Sequence, residues 1–469
     1  MFGRALGTAL PYMLSIAVTK GVSLAMVPWI AAHLPPSEYG RIEVVGSVVE
    51  FASLLFACGL ADTLFRFAGG GLSEGERRAR AAAIAGSAVV QAAVCALILQ
   101  ACAGFIQDLL ALQIGTWAFR ASLMAAAVGG MIELPLAWLR LRERPFRYLA
   151  FCALRAGLQF VVVGWAVWRE PVAESVLMAT AAVEIAMAAA LLIAQVRDTG
   201  LRFSSEALRW ALGYSLPLVL GSVATFAVGA CDRWFLVGQV PTADIGLYGI
   251  ANKIALATSL VMQPFGLWWY ARRLRVLEEP DGLQRSAQAV SLGFVILIVG
   301  AVVASLTGPA FIRLVLPAAY LPATALIPGL VAVSFLNETA SLLNVGCYAR
   351  RTAWSVSAVN LAGAIVAIAG YVVLIPYLGV EGAIAATVAA HAVRIAGFLT
   401  AGHWSARIPY QSLPIAALAA TAVAGVALAM RLPGLGFQLL TALALPPALV
   451  GLAWAGGLVR LPGRRNADV

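Results

Sequence analysis

Ser286–Thr307 reads SAQAVSLGFVILIVGAVVASLT. The stretch carries no charged residue, and Arg285 stands immediately before it. As a helix it reaches about 33 Å, enough to cross the ~30 Å hydrocarbon core of a bilayer. Backbone groups in lipid must satisfy one another, so a run of this length and composition is predicted to be a helix. Thirteen further stretches of the same kind surround it, at about 9–32, 42–67, 81–105, 112–139, 148–168, 173–195, 208–237, 243–270, 324–348, 353–375, 381–403, 411–430 and 436–459. The expected fold class is all-α, a polytopic membrane protein of 14 transmembrane helices.

The cations between these stretches orient the chain. Of 32 Lys and Arg, 21 fall in the N-terminus, the even-numbered loops and the C-terminal tail. The odd-numbered loops hold four: Arg41, Arg169, Arg313 and Arg431. Cytoplasmic loops carry the Lys/Arg excess, so both termini are expected in the cytoplasm and the span count is even. Seven cations remain inside apolar segments: Lys20, Arg66, Arg120, Arg155, Arg233, Lys253 and Arg394. Charge within a bilayer is costly and marks a functional site by default.

Composition removes other classes. The chain is 62% hydrophobic and 12% charged, about half the charge fraction of a soluble domain. Its net charge of +10 reflects loop bias and intramembrane cations, since no soluble basic domain is present to bind nucleic acid. The first ten residues lack a signal-peptide cleavage pattern and read as the start of a retained span. The six cysteines, Cys58, Cys95, Cys102, Cys152, Cys231 and Cys347, form no CxxC pair, and the three histidines are scattered. No metal site, cofactor or catalytic residue is therefore expected. Nucleotide-binding and hydrolase fingerprints are absent. Eleven of the twelve tryptophans fall near a proposed span end, as interfacial anchors do.

A shift of 206 positions aligns the chain with itself. Leu10-Pro11 falls on Leu216-Pro217, Pro35 on Pro241, Glu38 on Asp244, Gly40 on Gly246, Arg66 on Arg272, Arg144 on Arg350, Gly157 on Gly363 and Gly164 on Gly370. Six spans separate the matches, so the copies share one orientation, as in parallel transporter repeats. The expected organisation is an N-lobe at 1–200 with spans 1–6, a C-lobe at 201–405 with spans 7–12, and spans 13–14 with a cytoplasmic tail at 406–469. Transporters built this way bind substrate between lobes and rock them.

The intramembrane charges fall on shared faces. Glu43 and Glu50 are seven apart in span 2 with Ser47 between them, and the offset places Ser47 on Lys253 of span 8. The only two lysines are Lys20 and Lys253. An ammonium is compact and strongly hydrated, which suits a group that grips and releases an anion. The candidate substrate-binding cations are Lys20, Lys253, Arg233 and Arg66. The candidate coupling or charge-balancing acids are Glu50, Glu43, Asp62 and Asp232. Structural alternatives stand beside these readings. Asp62 and Arg66, at i and i+4, can neutralise each other. Asp232 and Arg233 adjoin Trp234 and fit a membrane interface. Arg120 can snorkel from the start of span 4. Arg155 and Arg394 can bridge helices, and Glu133, Glu184 and Glu338 can enter inter-helix ion pairs, with proton coupling as their functional alternative. Pro11, Pro217, Pro264 and Pro135 are expected to interrupt spans 1, 7, 8 and 4, as static kinks or as hinges.

Four segments carry a family resemblance. Leu34-Pro35-Pro36-Ser37-Glu38-Tyr39-Gly40 resembles the first-loop signature of polysaccharide flippases, and Asp232-Arg233 leading to Ile245-Gly246-Leu247-Tyr248-Gly249-Ile250-Ala251-Asn252-Lys253-Ile254 is similar to their span 7–8 junction. Leu316-Pro317-Ala318-Ala319-Tyr320 with Leu326-Ile327-Pro328-Gly329-Leu330 resembles the entry to span 10. Ile375-Pro376-Tyr377-Leu378-Gly379-Val380-Glu381-Gly382-Ala383-Ile384-Ala385 resembles the span 11–12 turn. The likeness is to the polysaccharide branch of the multidrug/oligosaccharidyl-lipid/polysaccharide exporter superfamily. It implies a flippase, not an enzyme, in the bacterial inner membrane. The implied substrate is an undecaprenyl-diphosphate-linked oligosaccharide for O-antigen, capsule or exopolysaccharide assembly. The implied partners are that lipid-linked substrate, membrane lipids and other polysaccharide assembly proteins. A lipid II flippase shares fourteen spans and a basic cavity and stays open as an alternative. Multidrug antiporters usually have twelve spans and an acid in span 1, which this chain lacks. A polysaccharide polymerase needs a large periplasmic loop, and the odd loops here are short.

Overall fold

The computed structural model describes residues 2–459 except 58, 112, 351–353 and 433; for 2–9, 57, 215–218 and 350 it describes the backbone alone. Cys58, Arg351 and the tail cations Arg460, Arg464 and Arg465 thus lie outside the described residues. Every regular element among those described is helical. Thirteen segments are long and apolar enough to cross a membrane: Leu10–His33, Pro36–Ala68, Glu74–Leu109, Thr116–Leu141, Pro145–Arg169, Ala173–Thr199, Thr242–Tyr270, Gly282–Val315, Ala318–Ala349, Trp354–Leu378, Val380–Ser405, Ser412–Arg431 and Leu435–Ala455. A fourteenth, Ser205–Tyr214 with Val219–Gly229, is bent by 45°. Numbered along the chain, this bent pair is span 7. With the bent pair counted as one span, the described residues hold the expected fourteen.

The interruptions obey backbone chemistry more than proline placement. Span 7 bends across the segment that holds Pro217. Span 1 instead runs unbroken through Pro11. Span 4 breaks between Thr116–Ala127 and Gly130–Leu141, while Pro135 lies inside the second helix. Tight turns such as Met131 N–H to the Val128 carbonyl (2.9 Å) carry the chain through. The irregular turn falls at Val128-Gly129, more than one turn before Pro135, which the second helix accommodates. Pro264 likewise lies within Ala257–Tyr270, and the irregularity of span 8 is at Leu256. There the hydrogen-bond ladder continues, from Leu256 N–H to the Asn252 carbonyl at 2.9 Å and from Leu260 N–H to that of Leu256 at 3.0 Å. In span 2 the helix stops at Ala57 and resumes at Leu60 after Gly59, whose φ of 84° lies in the left-handed region. The Phe56 carbonyl near that break accepts a hydrogen bond from the Gln91 side chain of span 3. Carbonyls freed in a span need such partners, because no water reaches them.

The chain divides into two compact units, Met1–Phe226 with Arg233–Gly246, and Ala227–Asp232 with Leu247–Val469. In the first, small residues bring spans 2, 3 and 4 together: Ala52, Ala103, Ala118 and Ala126 are buried among Val45, Leu99 and Leu123. Such residues allow the close backbone approach that membrane helices rely on. Span 1 packs on span 5, with Tyr12 edge-on to Tyr148 at 5.2 Å and the Trp29 indole N–H donating to the Gly164 carbonyl at 3.2 Å. Span 3 starts with a capping box in which Ser73 and Glu76 satisfy each other's backbone N–H. In the second unit, spans 13 and 14 lie on span 9 through Leu418, Ala422 and Leu449 against Val295, Ile298 and Val302.

The starts of spans 2 and 8 meet within the first unit. A Cβ on Gly40 would run into the Thr242 carbonyl oxygen, and one on Gly246 into that of Pro36. Pro36 and Thr242 are themselves 206 apart, so the contact is reciprocal under the sequence offset.

Candidate functional site

Span 2 presents Glu43, Ser47 and Glu50 along one stripe. The short helix Asp232–Leu236, after span 7, supplies what the first two face. Arg233 Nε lies 3.7 Å from Glu43 Oε2, with side chains 6% and 12% exposed. The Trp234 indole N–H donates to Ser47 Oγ at 2.9 Å, and Ser47 in turn donates to the Val44 carbonyl at 2.7 Å. Phe51 closes this side, edge-on to Trp234 at 5.2 Å. The ion pair is therefore desolvated, and the residue next to Arg233, Trp234, is fixed by its hydrogen bond to Ser47 and its contact with Phe51. Breaking a buried pair by removing one partner is destabilising, typically by about 3–5 kcal/mol.

Asp232, the residue before Arg233, has a different partner. It is buried, and the Tyr248 hydroxyl donates to its Oδ2. Lys253 is half-buried, about one and a half turns beyond Tyr248 on the helix Thr242–Ala255. Elsewhere in the second unit, the Tyr371 hydroxyl lies 2.9 Å from Thr387 Oγ1 and donates to the Val228 carbonyl at 3.1 Å, near the end of span 7.

Lys20 lies in the middle of span 1. Ser15 is buried there and Val18 half-buried, so they mark the inward side of the helix. Lys20, two residues past Val18, falls on the far side and is uncovered by protein. Among the described residues it makes no ion pair. Asp62 and Arg66 are also uncovered. Although they are i and i+4 on the helix Leu60–Ala68, they form no ion pair among the described residues. Glu50 is uncovered on span 2. The structure thus joins Glu43 with Arg233 and leaves Lys20, Arg66 and Asp62 apart from them.

Other intramembrane charges serve as bridges. Arg155 Nη2 meets Glu184 Oε2 at 2.9 Å, tying span 5 to span 6, and Gln159 donates to the same carboxylate at 2.9 Å. These two charged residues and Glu133 line a cavity of about 380 Å³ within the first unit. Arg394 of span 12 donates to Asn337 and Asn360, each at 3.1 Å, and lies 2.9 Å from His391 Nδ1. The two asparagines are neutral, so Arg394 links spans 10, 11 and 12 by hydrogen bonds. Sequence reasoning missed Trp234, Tyr248, Tyr371, Thr387, Asn337 and Asn360. Tyr248 stands in the span 7–8 segment already quoted, but nothing in the chain pairs it with Asp232, 16 residues earlier.

Known proteins share this architecture. A sequence model described as "Polysaccharide biosynthesis protein" matches residues 30–265, half of the chain. A 58-residue segment is 36% identical to "Lsg locus putative protein 1" of Haemophilus influenzae, a match that spans 12% of this chain and 14% of that protein. Among solved structures, "Lipid II flippase MurJ, inward closed conformation" superposes with a TM-score of 0.74 at 8% identity, over 97% of this chain and 100% of its own. An inward-facing multidrug resistance MATE family transporter of the MOP superfamily gives 0.60 at 13% identity, over 86% and 98%. The two solved structures share the fold of this chain.

Proposed function

We propose that this chain, which belongs to the family of polysaccharide biosynthesis proteins, is a flippase. It carries undecaprenyl-diphosphate-linked oligosaccharide units across the bacterial inner membrane by alternating access. The carrying observation is Lys20, a cation without an ion-pair partner among the described residues, in the middle of an apolar span and uncovered by protein. A charge in that place needs a ligand of opposite sign or a water-filled path. A diphosphate supplies the anion while the polyprenyl tail stays in lipid. Charge-assisted hydrogen bonds to phosphate are shorter and stronger than neutral ones. In this reading Lys20, Lys253, Arg233 and Arg66 receive the diphosphate. Glu43, Glu50, Asp62 and Asp232 balance the cations when the substrate is absent or couple its movement to an ion. Both termini face the cytoplasm, where the substrate is made, and other polysaccharide assembly proteins act on it after release.

Deletion of the gene in its host tests this reading. Lipid-linked oligosaccharide should accumulate and surface polysaccharide should fall, with both restored by the wild-type gene. A likeness to MurJ raises lipid II as the second substrate. Rescue of a strain depleted of its own lipid II flippase would assign the protein to lipid II and overturn the oligosaccharide assignment.

A further inference from the structure

The first unit carries a second cationic site, away from the intramembrane charges. A cavity of about 930 Å³ opens where the linker 200–204 joins span 6 to span 7, against the start of span 3. Arg80, Arg202 and Arg209 line it, with Phe203, Trp210 and one acid, Glu206. The frame is well fixed. Arg80 donates to the Phe67 carbonyl at 3.0 Å and lies 5.8 Å above the Trp210 ring, which stacks on Phe67 at 4.9 Å. The Arg202 backbone N–H donates to the Ala82 carbonyl at 3.1 Å, and its own carbonyl lies where a Cβ on Gly86 would be. Ser204 Oγ accepts from Ala207 N–H at 3.3 Å and caps the helix Ser205–Gly229.

Two guanidiniums in this frame are idle. Arg202 and Arg209 make no ion pair among the described residues, although Glu206 lies between them in sequence and in the same cavity. Three cations against one acid leave a net positive site, and the start of a long helix adds partial positive charge. Phe203 is 68% exposed beside it, and Trp210, which lines the site near the start of span 7, is of a type that marks headgroup depth at span ends. The cavity is open on one side and far larger than a phosphate ion requires. Basic pockets between spans at this depth suit lipid headgroups.

We infer that this cavity binds the phosphate of an anionic phospholipid headgroup, with Arg202 and Arg209 as its donors and Arg80 as a fixed third charge. Phe203 and Trp210 lie against the glycerol and upper acyl chains. The inference does not depend on which substrate the protein transports.

Native mass spectrometry of the full chain released from detergent tests it, with phosphatidylglycerol and phosphatidylcholine of equal acyl chains as probes. Wild type should bind phosphatidylglycerol more tightly. The Arg202→Gln, Arg209→Gln variant should lose about tenfold or more, because each basic residue near the headgroups adds roughly fivefold. The Arg202→Lys, Arg209→Lys variant should keep most of the binding, which separates lost charge from lost folding. Arg147→Gln with Arg275→Gln, outside the cavity, should leave binding unchanged. Equal loss in that control would show diffuse attraction and overturn the site, as would equal binding of phosphatidylcholine. Displacement by millimolar inorganic phosphate would assign the cavity to soluble phosphates and overturn the lipid assignment.

Discussion

Gly40 and Gly246 lie against each other's helix start, each closed off by a backbone carbonyl of the opposite one, and the sequence offset that relates them also relates the two carbonyls. A contact that maps onto itself in this way has a local two-fold between the starts of spans 2 and 8. Only glycine permits it at both positions.

Alanine at Gly40 or Gly246 should therefore destabilise the protein by about 1–3 kcal/mol, the usual cost of forcing atoms into a packed contact. Gly46, in the same helix as Gly40, has open space around it, with nothing within 4 Å of where a Cβ would stand. Gly46→Ala should be neutral or stabilising by up to about 1 kcal/mol, since alanine favours helix. Thermal unfolding of the purified variants checks both. Equal behaviour of Gly40→Ala and Gly46→Ala would contradict the contact.

The Glu43–Arg233 pair predicts a specific coupling. Glu43→Gln and Arg233→Gln should each destabilise the protein, by up to about 3–5 kcal/mol, because each removes one charge of a buried pair. The double variant should cost less than their sum, because the interaction between the two side chains is lost only once. A double-mutant cycle on thermal stability measures the difference, and strict additivity would show that the two side chains do not interact.

The spans were legible in the sequence because lipid imposes one rule on each: an apolar run of fixed length that satisfies its own backbone. Ser286–Thr307 illustrates this, since its helix, Gly282–Val315, only extends the expected range at each end. The breaks were less legible. Pro217 coincides with the bend of span 7, but Pro135 does not coincide with the break of span 4, which falls at Val128-Gly129. Proline is tolerated wherever neighbouring helices hold a span straight.

The charged site was legible in type and not in pairing. Span membership identifies Glu43 and Arg233 as intramembrane charges, yet 190 positions of chain separate them, and only packing brings them together. Asp62 and Arg66 show the converse, since helical spacing suggests a pair that the structure does not make. Arg394 is a cation held by neutral asparagines, and no charge pattern in the sequence points to Asn337 or Asn360.

Tyr371 should act as a clasp in the second unit. Tyr371→Phe removes the hydroxyl that satisfies the Val228 carbonyl and faces Thr387. An unsatisfied buried group costs about 1–3 kcal/mol. Thermal unfolding should show that loss with the ring packing kept, and an unchanged midpoint would mean that the carbonyl finds another donor.

The cation bias fixes the expected topology. Reporter fusions after Val469 and within the loop at 237–241 should report cytoplasm and periplasm respectively. A periplasmic C-terminus would reverse the map.

In the proposed mechanism, intramembrane cations carry a diphosphate-linked saccharide across the bilayer. The most direct test is flipping in proteoliposomes of a polyprenyl-diphosphate oligosaccharide whose outer-leaflet fraction is read by an added glycan-modifying enzyme. Wild type should transport it, and the Lys20→Ala, Lys253→Ala variant should not, at equal reconstituted amount. Transport by that variant at the wild-type rate would contradict the mechanism.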